Sequence, residues 1–150
     1  MASKKRRGNS GGKIELYGIS ELLQKIEKAG GKADVAVKKC VEASLEQVGM
    51  KMQLFMMEHR RTNDTYNSFE LLPVKLNNAG KVSGSVGYDP DKGGLPAIFL
   101  DVGTPNQQPK FFRYYAINNS RQELEQIQQA TLREILEALK WKNYLSYLKN

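Results

Sequence analysis

DVAVKKCVEASLEQVGMKMQLFM, residues 34–56, predicts a long amphipathic helix that begins near the N-cap candidate Asp34. Its apolar residues recur at steps of three and four, which keeps them on one side through about six helical turns. They are Val37, Val41, Leu45, Val48, Met52, Phe55 and Met56, and the opposite face carries Lys38, Lys39, Glu42, Glu46 and Lys51. Because such an apolar stripe has to be covered, we expect it to pack against a sheet.

Two further helices are expected on either side of this one. A short N-terminal helix has Ser20 as a plausible N-cap, and Gly30-Gly31 ends it. A second long helix follows residue 116. Its apolar positions, again at helical spacing, are Leu124, Ile127, Thr131, Ile135 and Leu139, continued by Trp141, Tyr144, Leu145 and Leu148.

Three short runs between the long helices predict strands. Residues 69–76, 81–88 and 95–102 each contain apolar side chains at a period of two: Leu72, Val74 and Leu76, then Val82, Val86 and Tyr88, then Ile98, Leu100 and Val102. The short connections favour antiparallel neighbours, and Pro73 makes the first run a candidate edge strand. The predicted fold is therefore α+β: a small antiparallel sheet of three to four strands, packed on one face by two long amphipathic helices, with a short N-terminal helix.

The positive charge is concentrated at the N-terminus. The 150 residues carry a formal net charge of +7, and Lys4, Lys5, Arg6, Arg7 and Lys13 are accompanied by no acid before residue 14. The remainder of the chain is close to neutral, unlike a DNA-binding domain with a basic folded face. We expect a flexible basic arm at 1–12, a single domain at 13–139 and a helical extension at 140–150.

Residues for catalysis or metal binding are sparse. His59 is the single histidine and lies at the end of the first long helix. Cys40 is expected to be a small buried apolar residue. Asp89, Asp91 and Gly93 faintly resemble a calcium loop, but turn chemistry is favoured because the alternating oxygens stop and no glutamate closes the loop. The sequence predicts no enzyme, no cofactor and no metal site. No apolar run approaches the length of a membrane helix.

An aromatic cluster precedes the second long helix. In PKFFRYYA, residues 109–116, the rings occupy adjacent positions at a helix start, so some face the core and the others are free for a partner. A core or protein-interface role is favoured over stacking on single-stranded bases. The arm at Lys4–Arg7 could pair with phosphates or simply be solvated.

The order of five weak motifs resembles the tail-completion (minor tail, or neck) protein family of long-tailed bacteriophages. They are the lead IELYGISELL at 14–23, the long helix ending in a basic stretch before RTNDTYNS at 61–68, the VGY strand end at 86–88, IFLDVGT at 98–104, and PKFF with the following YA at 109–116. The match covers residues 13–138. Departures are Asn63 where the family usually has glycine, Asp101 in place of the more frequent glutamate, and Lys110 between the proline and the phenylalanines.

The resemblance implies a virion structural protein, assembled in the host bacterial cytoplasm. It would form a ring, most simply a hexamer, that completes the tail and joins it to the head connector around a DNA passage. Its partners would be further copies of itself, the connector or stopper, and the tail terminator or tube proteins, with non-specific contact to genomic DNA through Lys4, Lys5, Arg6 and Arg7. The implied subunit or neck contacts are Thr62, Tyr66, Ser68, Asp101, Gly103, Thr104, Pro109, Phe111 and Phe112.

Two points stay open from the residues. On its expected strand, Asp101 could bond the turn at Gly103-Thr104 or form a salt bridge between subunits. An alternative function is a DNA-binding accessory protein that uses the basic arm and the Tyr/Phe cluster.

Overall fold

The computed structural model describes residues 19–59, 63–76 and 82–149. In these ranges the helices are α1 (Ser20–Lys28), α2 (Ala33–Glu58), α3 (Asn63–Asn67), α4 (Leu95–Val102), α5 (Phe112–Asn118) and α6 (Arg121–Leu148), with a 3₁₀ turn at Pro90–Lys92. The strands are β1 (Phe69–Leu71), β2 (Lys75–Leu76), β3 (Val82–Ser83) and β4 (Val86–Tyr88). The predicted α+β class is confirmed.

The two long helices α2 and α6 pack against each other and run in opposite directions. The Lys51 ammonium lies 2.8 Å from the Glu123 carboxylate, whereas the thiol of Cys40, which precedes Lys51 in α2, donates to the Gln128 carbonyl further along α6. The first half of α2 also contacts α1, and its second half contacts the strands and α5. Helix α2 is therefore the central element of the fold.

Two apolar clusters form the core, one at each end of α2. The first joins the second half of α2 to β4, α4, α5 and the start of α6: Val48, Met52, Met56, Tyr88, Ala97, Phe112, Ala116 and Leu124. The second joins the first half of α2 to α1 and α6: Ile19, Ile26, Ala36, Cys40, Leu132 and Leu136. Helix α2 thus turns a somewhat different face to each set of neighbours. For this reason Ala36 and Cys40 are buried in the first half, whereas the predicted Val37 and Val41 are only partly buried.

A small polar group separates the two apolar clusters. The Gln128 side chain is 1% exposed and donates to the Ser44 hydroxyl at 3.0 Å, while that hydroxyl donates to the Cys40 carbonyl at 2.8 Å. Among the described residues, the Gln128 Oε1 atom has no hydrogen-bond partner. Since the bond from Gln128 to Ser44 forms only when the two helices are correctly aligned, it helps to set the register of α6 on α2.

The first two predicted strand runs form one bent antiparallel hairpin. Strand β1 pairs with β4, and β2 pairs with β3. Between these two ladders, the Leu72 N–H still donates to the Ser85 carbonyl, but Pro73 has no N–H to continue the ladder. The hairpin lies on α2 at Gly49, where a Cβ atom would come within 2.7 Å of the Phe69 ring.

The prediction of a third strand at 95–102 is wrong, because this run is helix α4. Pro96 sits in the first helical turn, where its missing N–H is not needed. An apolar run this short fits both the strand period and the helix period. Ile98, Leu100 and Val102 recur every two residues, as in a strand, but the buried Ala97 and Asp101 are one helical turn apart. The sheet region consequently consists of two two-stranded ladders instead of one sheet of three to four strands.

The predicted helix starts differ in detail. Ser20 is the first residue of α1, with Ile19 at the N-cap, and no side chain caps the helix. Lys32 is the N-cap of α2, and Asp34 lies inside the helix, where its carboxylate accepts from the Val35 N–H. The predicted end of the short helix is confirmed: α1 ends at Lys28, and Gly30 has a φ of +85°.

Candidate interaction surface

A tight turn connects α4 to the aromatic segment. Gly103 ends α4 with φ 78° and ψ 172°, a backbone conformation that is essentially restricted to glycine. A Cβ atom there would also meet the Gln107 carbonyl and Pro109 at 2.9 Å. Thr104 and Gln107 then exchange backbone hydrogen bonds of 2.9 and 3.1 Å, which closes the turn. The predicted contact residues Gly103, Thr104 and Pro109 are therefore parts of a compact loop.

The returning chain is bonded to the end of α4. The Lys110 N–H donates to the Leu100 carbonyl at 2.8 Å, and the Phe111 N–H donates to the Asp101 carbonyl at 3.1 Å. These carbonyls belong to the last turn of α4, where no intrahelical partner is available. The loop thus satisfies the helix end and places the start of α5 beside it.

Asp101 is the electrostatic centre of this junction. Its side chain is 8% exposed, and one carboxylate oxygen accepts from the Arg113 backbone N–H at 3.0 Å while the other accepts from the Arg113 Nε at 2.5 Å. A carboxylate at this position both caps the first turn of α5 and neutralises the guanidinium. The expected strand position of Asp101 is wrong because residues 95–102 are helical, and the carboxylate bonds to Arg113 rather than to the Gly103-Thr104 turn.

Phe111 and Phe112 are divided between the surface and the core. Phe112 is buried, stacks on Phe55 with ring centroids 4.8 Å apart, and meets Tyr88 edge-on at 6.1 Å. Phe111 precedes it with φ 50° and ψ 33°, the left-handed conformation that bulky residues rarely adopt, and it is 49% exposed. The backbone bond from Phe111 to Asp101 maintains this conformation and turns the two neighbouring rings to different sides.

Three exposed rings lie at the N-cap and in the first turns of α5. Phe111, Tyr114 and Tyr115 follow at the helical spacing i, i+3, i+4, and the two tyrosine rings meet edge-on at 5.6 Å. On the adjoining α4, Phe99 and Val102 are also about half exposed. We call Phe99, Val102, Phe111, Tyr114 and Tyr115 the aromatic surface. Sequence reasoning expected that some of these rings would be free, but it missed Arg113, whose partner lies twelve residues earlier across a loop.

The other predicted contact residues lie near the 3₁₀ turn. Ser68 is buried, and its hydroxyl donates to the Thr65 carbonyl at 2.7 Å. Tyr66 is partly buried against the first core cluster. Ser68 and Phe112 thus point into the fold, whereas Thr62 lies outside the described residues, as do Lys4, Lys5, Arg6 and Arg7.

The segment with a faint likeness to a calcium loop is a turn, as expected. The Asp89 carboxylate accepts from the Asp91 N–H at 2.9 Å, and Gly93 follows with φ 99°. Lys92 donates to Glu70 and lies 3.4 Å from the second Asp89 oxygen. An ammonium group therefore occupies the place that a cation would need. Within the described ranges, no group of three or more His, Cys, Asp or Glu side chains could hold a metal ion.

The side chains that the sequence offered as candidates for chemistry pack against the core or bond to the backbone of the fold. His59 stacks on Phe55 with centroids 4.1 Å apart, and its Nδ1 lies 3.0 Å from the Phe55 carbonyl. Cys40 is fully buried, as predicted, and desolvation raises the pKa of its thiol to about 11. Burial, reinforced by Tyr66, likewise raises the pKa of the Tyr88 phenol, whose hydroxyl donates to Gln53 at 2.7 Å.

Comparison with protein-family models, with curated proteins and with solved structures found no match to this chain. In the part of the chain that the structure describes, no helix is long and apolar enough to cross a membrane. The class defined by fold and surface is therefore a small α+β domain that carries half-exposed aromatic side chains on a tightly bonded junction.

Proposed function

We propose that this chain is a structural subunit of the head–tail neck of a long-tailed bacteriophage. It forms an oligomeric ring, a hexamer in the simplest case, which completes the tail and joins it to the head connector around a passage for DNA. The aromatic surface binds a neighbouring neck protein, either the connector or stopper on one side or the tail terminator or tube on the other. This role uses surface and shape, with no bond-making step.

The observation that carries a binding role is the conformation of Phe111. A bulky residue in the left-handed region costs of the order of 1–3 kcal/mol, and it persists only where its surroundings impose it. In this conformation the Phe111 ring is half exposed to water, beside the two exposed tyrosines. Aromatic side chains on a rigid frame are typical of protein interfaces, where they contribute most of the binding energy. The neck assignment itself rests on the resemblance of the sequence motifs.

The distribution of charge supports the passage of DNA. Five of the seven net positive charges precede residue 14, so the remainder of the chain is nearly neutral. A nearly neutral body does not hold a duplex tightly through its phosphates, whereas a separate cationic arm can contact it reversibly. This arrangement suits a ring that must let the genome move.

Cryo-electron microscopy of intact particles tests the location directly. We expect density for this chain at the junction between capsid and tail, with the aromatic surface covered by a neighbouring protein. Particles that contain the chain nowhere at that junction would contradict the proposal.

A binding assay tests the surface. Connector and tail proteins encoded by neighbouring genes are co-expressed with the wild-type chain, with Phe111→Ala and with Tyr114→Ala. We expect each substitution to weaken capture of one neck protein by at least about tenfold. Tyr147→Ala, which removes an exposed ring from the distant end of α6, is the matched control and should bind like the wild type. Equal binding by all four chains would exclude the aromatic surface.

The concentration of charge in the arm also favours the alternative, a DNA-binding accessory protein. That function requires duplex affinity that falls steeply with salt and disappears when residues 1–12 are deleted. If the chain shows no affinity for duplex DNA at low salt, this alternative is excluded.

A further inference from the structure

The C-terminal end of α6 extends beyond the folded body. The last buried residue of α6 is Leu136, and every described residue from Lys140 to Lys149 is exposed. Within residues 19–59, 63–76 and 82–149, the hydrogen bond that joins this part to the body runs from the Asn143 amide to the Ala29 carbonyl, at 3.1 Å. Since α6 is one continuous helix to Leu148, these residues form a helical projection.

The projection has an apolar side, and its charged side chains are lysines, of which Lys140 is paired with Glu137 at 2.8 Å. Trp141, Tyr144, Leu145 and Leu148 are each more than half exposed and follow the spacing i, i+3, i+4, i+7, the pattern with which a helix packs into a partner. The charged residues of 140–150 are Lys140, Lys142 and Lys149, with no carboxylate. The surface that covers this side should therefore be apolar and flanked by acids.

A surface of that kind lies in the second half of α2. Met50, Leu54 and Met57, which we call the α2 row, are each more than half exposed at the spacing i, i+4, i+7. The exposed carboxylates of Glu46 and Glu58 lie one turn before the row and beside its end. The row and the apolar side of the projection both span eight residues, about 10 Å of helix from first to last. Of the nearby cations on α2, Lys51 is already paired with Glu123.

The projection cannot reach the α2 row of its own chain. Helices α2 and α6 are antiparallel, and Met52 packs in the same cluster as Leu124, which places the row near the start of α6. Trp141 lies seventeen residues beyond Leu124 along a continuous helix, a separation of about 25 Å. A contact between the two surfaces therefore joins two molecules.

We propose that the projection of one copy packs on the α2 row of the next copy. The contact is heterologous, since it joins two different surfaces, and its repetition produces a ring when the rotation closes. This proposal specifies the subunit contact of the proposed neck ring and rests on that function. Pairing of two projections is disfavoured because it would bring Lys142 and Lys149 of both copies together, and the aromatic surface is disfavoured because it is flanked by the exposed Lys110.

Complementation between two variants tests the contact. One variant ends at Leu139 and lacks the projection, whereas the other keeps the projection but carries Met50→Gln, Leu54→Gln and Met57→Gln. Sedimentation of the full-length wild-type chain at high concentration should show species larger than a dimer. Each variant alone should stay monomeric, and their equimolar mixture should form a dimer and nothing larger, because only one projection and one intact α2 row then meet.

Single substitutions test which side chains contribute to self-association. Trp141→Ala should weaken self-association by at least about tenfold, whereas Tyr147→Ala, off the apolar side of the same helix, should not change it. Glu46→Lys should weaken it less, and in a salt-dependent manner.

A wild-type chain that remains monomeric, variants that assemble like the wild type, or a mixture that fails to dimerise would each overturn the contact. Binding of the monomeric wild-type chain to vesicles of anionic phospholipid would identify a lipid surface instead. The neck location is decided separately by imaging of particles, so a ring at the junction with its projections bound elsewhere would refute this contact while supporting the proposed function.

Discussion

The two exposed aromatic regions of this molecule are held in place in opposite ways. At the aromatic surface, a buried carboxylate, a glycine-dependent turn and two backbone bonds to the end of α4 position the rings. At the projection, the continuity of α6 and a bond to Ala29 are the contacts that the described part of the chain shows. Similar side chains are thus presented by tertiary structure in one region and by local helix geometry in the other. Substitutions of the residues that hold the aromatic surface should therefore destabilise the fold, whereas removal of the projection should not.

The largest effect is expected within one pair of neighbouring residues. Phe112→Ala should lower the free energy of unfolding by about 4 kcal/mol, because it empties a core site between Phe55 and Tyr88. Phe111→Ala should lower it by less than about 1 kcal/mol, because that ring is half exposed. Urea unfolding followed by circular dichroism measures both, and equal losses would contradict the assignment of one ring to the core and the other to the surface.

The second largest effect is expected when the buried Asp101 carboxylate is removed. Asp101→Ala should lower the free energy of unfolding by about 3 kcal/mol, since it removes the cap of α5 and leaves Arg113 without its partner. Because Arg113 is partly exposed to water, the loss of stability should lie at the lower end of the range for a broken buried ion pair. Glu134→Ala, at an exposed carboxylate on α6, is the matched control and should change stability by less than about 0.5 kcal/mol. A loss no larger than that of the control would show that the Asp101–Arg113 pair does not hold the junction.

The turn after α4 should be somewhat less sensitive. Gly103→Ala should cost about 2 kcal/mol, because the backbone there excludes a side chain and the new Cβ would meet Gln107 and Pro109. Gly87→Ala offers the comparison, since a Cβ at that position meets nothing within 4 Å. Thermal unfolding of both variants should therefore show a lower Tm for the first alone, and the reverse order would be incompatible with the described turn.

The smallest effect is expected at the projection. A chain that ends at Leu139 should retain the free energy of unfolding of the wild type to within about 0.5 kcal/mol in dilute solution, because no residue described after Leu136, from 137 to 149, is buried. Urea unfolding at low protein concentration gives the comparison without a contribution from self-association. A large loss would mean that the projection belongs to the folded body.

Periodicity predicted the two long helices well, but it missed the short helix α4 and predicted the strands only in part. The stripe at residues 34–56 and the apolar spacing from Leu124 to Leu148 correspond to α2 and α6, because a helix of many turns repeats its pattern often enough to be unambiguous. Residues 95–102 are too short for that, and the same side chains satisfy both periods. The bend at Pro73 could be anticipated as an edge feature, but not as the division of one hairpin into two ladders.

The candidate surface could be predicted only as a cluster of rings. The sequence indicated that residues 109–116 would divide between core and surface, and Phe112 and Phe111 do so. It did not indicate Arg113 as the partner of Asp101, since a pair that meets across a loop leaves no periodic trace. The α2 row was also missed, because Met50, Leu54 and Met57 differ from the buried Met52 and Met56 only in what packs beside them.

The sequence alone determined the long helices, the end of α1 at Gly30, the concentration of charge before residue 14 and the apolar spacing of the projection, because each depends on neighbours along the chain. Only the tertiary structure decided that residues 95–102 are helical, that Asp101 is buried against Arg113 and that Phe111 is held outward. These features depend on groups brought together from separate segments, and their energies arise only when those segments pack.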